Sequence, residues 1–258
     1  MITEAITLTT ADQDDILPPD LIPDISHLVT EDDTPVDNLA SEKQMRLLTE
    51  PLYTSWEGPG EQRPFLAAAN VGIFASIYQP PLVPDMFLSL DVTVPDDWWA
   101  KGKRAYFFWE FGKAPDIVIE IVSNREGGEA DRKLRAYARI GIPYYVIYDP
   151  QQQIQPDVLC AYALTPRREY EEIPPDLFVG LGLGLTLWRG SYENKEETWL
   201  RWHGADGNLI PTGAELSAQE RQRADAEHQR AEAEHQRAER LAARLRALGI
   251  DPDADADN

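Results

Sequence analysis

PDIVIEIVSNREGGEADRKLRAYARIGIPYYVIYDP, residues 115–150, is the stretch that decides the fold. Its first run, Asp116 to Ser123, is almost continuously apolar, and the exception is Glu120. Such a run is expected of a central strand buried on both faces. NREGGEAD follows as a loop. RKLRAYARIG reads as a helix closed by Gly141, with Pro143 two residues further on. PYYVIYD returns to an apolar strand. Strand, helix and strand across residues 116–149 make a βαβ-like unit, which predicts a mixed α/β sheet.

Upstream, SEKQMRLLTEPLYTSW spaces Met45, Leu48 and Leu52 with a helical period after Ser41, a candidate cap, and Pro51 is expected to end or kink that helix. PFLAAANVGIFASIY reads as one strand with a bulge at Gly72, and Val83 to Val92 as a second. AKGKRAYFFWEFG reads as loop followed by strand. Downstream, Ile154 to Trp202 predicts a β meander with Trp and Tyr packed on the sheet. Residues 214–248 are an Ala/Glu/Arg-rich helix in which AEHQRAE stands at 226–232 and again at 233–239. An unchanged seven-residue repeat suits a coiled coil. Ala224, Ala231, Ala238 and Leu245 hold one register, but Glu227 and Glu234 interrupt the seam. A dimerisation arm and a solvated single helix held by Glu–Arg pairs therefore both stand. The helix is expected to stop at Gly249. The organisation expected is an acidic arm over residues 1–40, an α/β domain over 41–205, and a linker, helix and acidic tail over 206–258.

With 24 Lys+Arg against 45 Asp+Glu, the formal net charge is -21, which argues against binding nucleic acid through overall positive charge and leaves a local groove open. Residues 1–40 hold ten Asp/Glu and no Lys or Arg. A solubilising tail is the simpler account of that arm, and a mimic of nucleic-acid charge guarding a basic site is the alternative. The single Cys160 forms no internal disulfide, and no Cys/His cluster has zinc spacing. Neither a signal peptide nor a membrane span is apparent, so a soluble, cytoplasmic protein is expected. P-loop, GxSxG and HExxH patterns are absent. His228 and His235, seven apart on the repeat helix, read as a by-product of the repeat.

The chemistry centres on Glu120. A buried, unpaired carboxylate costs several kcal/mol, so it needs a cation, a hydrogen-bond network or a shifted pKa. Two features lie within reach: Pro84-Asp85 before the apolar MFLSL, and the basic helix RKLRAY after the Glu120 strand. An Asp, a Glu on a neighbouring strand and a Lys make a hard-cation phosphodiester site, in which Mg²⁺ takes the carboxylates and activates water. Asp116 and Glu120 share a strand face but lie roughly 13 Å apart at ~3.3 Å per residue, too far for one Mg²⁺. Asp116 thus reads as a turn or cap residue, and Asp85 as the partner of Glu120.

With these residues in view, the sequence resembles the Uma-type restriction endonucleases, a family abundant in cyanobacteria and similar in fold to the PD-(D/E)XK nucleases. The resemblance rests on Pro84-Asp85, on Pro115-Asp116 through Glu120 and Ser123, on Lys133 four residues before Tyr137, and on Gly141 to Pro150. It covers about residues 41–205. It implies a restriction-endonuclease-like mixed sheet flanked by helices, with a metal-dependent nuclease site. Asp85 and Glu120 would be the ligands of Mg²⁺ (or Mn²⁺), Lys133 the catalytic base or phosphate contact, and Glu42 an auxiliary ligand. DNA would be the substrate and a second copy of the chain a partner. The sequence departs from the wider superfamily at Val122, where a Glu-x-Lys motif would place its lysine. Lys133 shares a helix stripe with Tyr137 and Ile140 and can face the sheet instead. Lys101, Lys103, Arg104, Arg132 and Arg135 are the candidate nucleic-acid contacts, within a wider set that includes Lys113, Arg125 and Arg139. Trp98 and Trp99 precede that set; core packing or a loop anchor is favoured for them over stacking on bases. The competing functional class is an inactive nuclease-fold protein that binds partners through its helical arm.

Overall fold

The computed structural model describes residues 24–28, 38–60, 63–123 and 128–248. Most of the acidic arm, Arg125 and the Gly249 stop lie outside the described residues. The chain divides into two units, residues 1–210 and 211–258.

In the first unit, helix α1 spans Leu39–Thr54. Its cap is Asn38, whose Oδ1 accepts from the N–H groups of Ala40 and Ser41, both at 2.9 Å. The start therefore lies upstream of the expected Ser41, which is inside the helix and buried. Pro51 sits inside the helix as well, and its carbonyl accepts from Ser55 and Trp56 to close the last turn. Strand β1, Phe65–Ala69, ends at Asn70, which has φ 57. Asn tolerates that left-handed conformation better than most residues. The reversal splits the single strand expected here: β2, Ile73–Phe74, belongs to another sheet. Strand β3 is Met86–Leu90. Only Tyr106–Phe107 form strand β4, and Phe108–Phe111 make the one-turn helix α2, where a strand was expected. Strand β5 is Ile117–Ile121. A π-type turn over Glu129–Lys133 leads into α3, Leu134–Ile140. Gly141, at φ 87, closes α3 in the left-handed conformation that glycine adopts without strain.

Strand β6 is Tyr144–Tyr148, β7 is Leu159–Leu164, and β8 is Tyr170–Ile173. Among the described residues they complete a six-stranded sheet in the order β1-β3-β5-β6-β7-β8. The β5–β6 pair is parallel and the other pairs are antiparallel. The rest of the expected meander is a hairpin of its own, β9 (Leu183–Tyr192) with β10 (Lys195–Gly204).

Alternation along β5 sorts the core into two layers. Ile117, Ile119 and Ile121 join Met45, Leu48 and Leu52 of α1, with Leu185, Leu200 and Trp202 of the hairpin. Val118 and Val122 face the other way, onto Tyr137, Ile142, Phe87 and Tyr106. The first layer is tied by side chains as well as by packing. Gln44 Nε2 donates to the Leu200 carbonyl at 2.8 Å, and its Oε1 accepts from the Leu200 N–H at 3.0 Å. Trp202 Nε1 donates to the Leu48 carbonyl at 2.8 Å.

The second unit contains helix α4, Gly213–Ala247, opened by a capping box in which Thr212 and Glu215 satisfy each other's N–H groups. None of the 35 residues of this helix is buried. No helix among the described residues is long and apolar enough to cross a membrane.

Leu48 has 0% exposure within the α1 layer. Leu48→Ala is expected to lower unfolding free energy by about 2–5 kcal/mol, measured by urea denaturation. A loss below about 1 kcal/mol would mean that α1 does not seal this face.

Candidate active site

Glu120 projects from the middle strand to the α3 side of the sheet and is 0% exposed. Its Oε2 accepts from Lys133 Nζ at 2.8 Å, and its Oε1 accepts from the Tyr137 hydroxyl at 2.7 Å. Lys133 and Tyr137 lie four residues apart, hence on one helical face, and both turn toward the strand. The π-type turn places Lys133 at its last residue, directly before α3. Such wide turns are frequent where a side chain must be re-aimed at a functional site.

The neighbouring strand supplies the second carboxylate. Met86 pairs with Ile119 in the antiparallel β3–β5 ladder, so continuing the register sets Asp85 beside Glu120. Asp85 Oδ2 accepts from the Ile121 N–H at 2.6 Å. A side chain here takes the part of a main-chain acceptor, and it fixes the carboxylate against the peptide that follows Glu120.

The electrostatics follow from that placement. Burial pushes the Glu120 carboxyl up to about 8, opposed by the Lys133 ammonium and reinforced by the negative charge of Asp85. The hydrogen bonds from Lys133 and Tyr137 pull it down in turn. The Tyr137 hydroxyl is raised well above the ordinary tyrosine range, first by burial and then by Glu120. Two carboxylates and one ammonium are thus concentrated in a poorly solvated spot. Tyr137 was not among the expected site residues. Its i+4 spacing from Lys133 was the available signal.

Of the other expected residues, Glu42, Lys101, Lys103 and Arg135 have partners outside this group. Glu42 is on α1, which covers the opposite face of the sheet, and its carboxylate is paired with Arg46. Lys101 donates to the Ser26 carbonyl at 2.7 Å. Lys103 pairs with Asp97 at 2.9 Å and Glu110 at 3.5 Å. Arg104 and Arg132 are exposed, and Arg135 pairs with Asp131 one turn away. Asp116 has the structural role expected of it: Oδ2 accepts from the Leu90 N–H at 2.7 Å and from Lys113 Nζ at 2.6 Å. Trp98 and Trp99 overturn the packing expectation, being 55% and 81% exposed. Asp149, the aspartate of the closing Asp-Pro, is fully buried and accepts from the N–H groups of Gln153, Ile154 and Gln155. It fixes the turn after β6 and adds nothing to the Glu120 group.

A mixed sheet that buries a glutamate on its central strand, beside an aspartate of the adjoining strand and a helix-borne lysine, is the architecture of the restriction-endonuclease-like α/β class. The family model Uma2, described as "Putative restriction endonuclease", matches residues 34–174, and the chain belongs to that family. The match takes in α1, the six-stranded sheet and every member of the Glu120 group, and it ends before the β9–β10 hairpin. No curated protein matches the chain.

The raised Glu120 carboxyl makes a signed prediction for the metal-free protein. Below about pH 4.5 the group is neutral in folded and unfolded chain alike; from there to about 8 only the folded chain keeps the proton. The folded state binds more protons across that window, so this contribution to stability is lost as pH rises through it. Thermal melting in EDTA should show wild type losing stability relative to Glu120→Gln across the window. Parallel curves would show that the carboxyl titrates at its ordinary value. Tyr137→Phe, which removes a donor to the ionised form, should leave the onset of the loss in place and extend it to higher pH.

Proposed function

We propose that this protein is a metal-dependent endonuclease that hydrolyses DNA phosphodiester bonds, with Asp85, Glu120 and Lys133 as its working residues. The observation that carries the proposal is the Lys133 ammonium 2.8 Å from a fully buried Glu120 carboxylate, with Asp85 alongside. Nothing in core packing requires a buried glutamate beside a half-buried aspartate and lysine, and burying an ionisable group there costs stability.

The residues fit a hard divalent cation. Mg²⁺ takes one or two carboxylates and keeps waters and substrate oxygens for the rest of its shell. Among the described residues no three His, Cys, Asp or Glu side chains form a metal-holding group, and Asp85 and Glu120 are the two carboxylates set side by side. Each Glu120 oxygen accepts one hydrogen bond and has a second lone pair. Asp85 and Glu120 would hold Mg²⁺ or Mn²⁺, which when bound supplies water activation and charge neutralisation at the phosphate. Lys133, whose Nζ donates to Glu120 Oε2, is suited to a phosphate oxygen more than to removal of a proton. Tyr137 keeps the Glu120 carboxylate in one orientation from inside the helix layer. The lysine absent where Val122 stands in a Glu-x-Lys arrangement would then come from the turn before α3.

The test is titration calorimetry with Mg²⁺ and Mn²⁺ on wild type and Glu120→Ala, with plasmid nicking on the same samples. Stoichiometric binding lost in the variant is expected, with nicking abolished. Lys133→Ala should still bind metal and nick about 10²–10⁴-fold more slowly. No binding and no nicking by folded wild type would overturn the proposal.

The exposed length of α4 supports a second reading, a partner-binding arm that pairs with a second copy of the chain. A 35-residue helix with no buried residue and an exact heptad repeat has one register, Ala224, Ala231, Ala238 and Leu245, available for pairing. Sedimentation velocity should show a dimer that Leu241→Asp/Leu245→Asp converts to monomer. A monomeric wild type at high micromolar concentration would remove this reading.

A further inference from the structure

Trp98 and Trp99 are the largest side chains that the described residues leave in water, at 55% and 81% exposure. Their rings lie 5.7 Å apart and are tilted by 55°, so they present two faces and not one stacked block. The segment that carries them is well anchored. Ala100 N–H donates to the Asp97 carbonyl at 2.8 Å and Lys103 N–H to the Ala100 carbonyl at 2.9 Å, two successive turns. Lys101 is tied to Ser26, and a methyl group of Ile25 lies against Gly102, where an added Cβ would come to 3.2 Å. Ile25 packs in turn on the buried Phe74, Ala105 and Phe107. Two exposed indoles on a braced segment can bind a flat ligand without first being ordered.

The charges beside them narrow the ligand. Lys103 is paired with both Asp97 and Glu110, Lys101 is bonded to the Ser26 carbonyl, and Asp96 balances the charge of Arg104 within the segment. A segment neutralised in this way is a poor clamp for the doubly charged backbone of a duplex. Duplex bases also stack on one another and offer only their edges in the grooves. Unpaired bases offer whole faces, which aromatic side chains take up with little regard to sequence.

We infer that Trp98 and Trp99 form a stacking platform for the unpaired bases of single-stranded nucleic acid. The inference deepens the nuclease reading and rests on it for the class of ligand: it assigns single-stranded or locally opened substrate to the enzyme. Stacking supplies the binding, and the phosphate charge contributes little.

The test is fluorescence anisotropy of labelled oligothymidylate and of a labelled blunt duplex with the full chain, in EDTA so that cleavage plays no part. The oligothymidylate is expected to bind more tightly than the duplex, with a slope against log salt of about -1 or shallower. Trp98→Ala/Trp99→Ala should bind it about tenfold to a hundredfold more weakly, and Trp98→Phe/Trp99→Phe should restore most of the affinity. Both positions are exposed, and circular dichroism checks that the variants fold. Equal affinity for the two nucleic acids, or an unchanged double-alanine variant, would overturn the inference. Tryptophan-dependent sedimentation with anionic phospholipid vesicles, without oligothymidylate binding, would also overturn it and assign the pair to a lipid surface. Loss of plasmid nicking alone would strike the catalytic proposal and leave the platform standing, because binding is read without metal.

Discussion

Glu120 sits where water does not reach, on the central strand of the sheet, and its two oxygens are met by one ammonium and one hydroxyl from the same helical face. That pair of contacts constrains much of the surrounding architecture. For Lys133 and Tyr137 to arrive together, the π-type turn must deliver the lysine directly before α3, one turn ahead of the tyrosine. Gly141 then ends α3 abruptly, so that β6 can run parallel to β5 and complete the wall. Removing either donor would leave a buried charge less compensated, which is more damaging than losing the attraction itself.

Asp85 makes the arrangement chemical as well as structural. A lone buried Glu–Lys pair would be an ordinary, if expensive, core feature. A second carboxylate, held to the Ile121 N–H, lies beside Glu120 and helps push its carboxyl up. Nearby acids elsewhere in the unit show the contrast: Asp116 and Asp149 spend their oxygens on backbone N–H groups and a single lysine, and stabilise turns.

The elements that were legible in the sequence were those whose pattern is local and strong. The β5 run, the Gly141 stop, the β6 run and the heptad helix carry their own periodicity; Asp85, Glu120 and Lys133 are named together by the family resemblance, and strand identity and helix stripe only allow them to meet. The misreadings arose where tertiary contacts override local pattern. Residues 65–78 have strand-forming composition throughout, but Asn70 reverses the chain and sends Ile73 to pair with Tyr106. Phe108–Phe111 has the aromatic content of a strand, yet it makes one helical turn with Phe111 stacked on Tyr106 at 4.4 Å. Glu42 could be placed on a helix from sequence, but the face of the sheet that the helix would cover had no local signal. Trp98 and Trp99 show the same limit: composition favours burial of tryptophan, and only the fold shows which ones remain outside.

The hairpin β9–β10 lies beyond the residues the family model matches, yet it supplies Leu185, Leu200 and Trp202 to the layer under α1 and receives Gln44 on its main chain. The matched region and the packed core therefore do not coincide. A fragment cut at the edge of the family region would strip the covering from Met45, Leu48 and Leu52 and leave the Gln44 amide without its partner strand. The segment beyond the match is, by packing, part of the cover that keeps this face of the sheet dry.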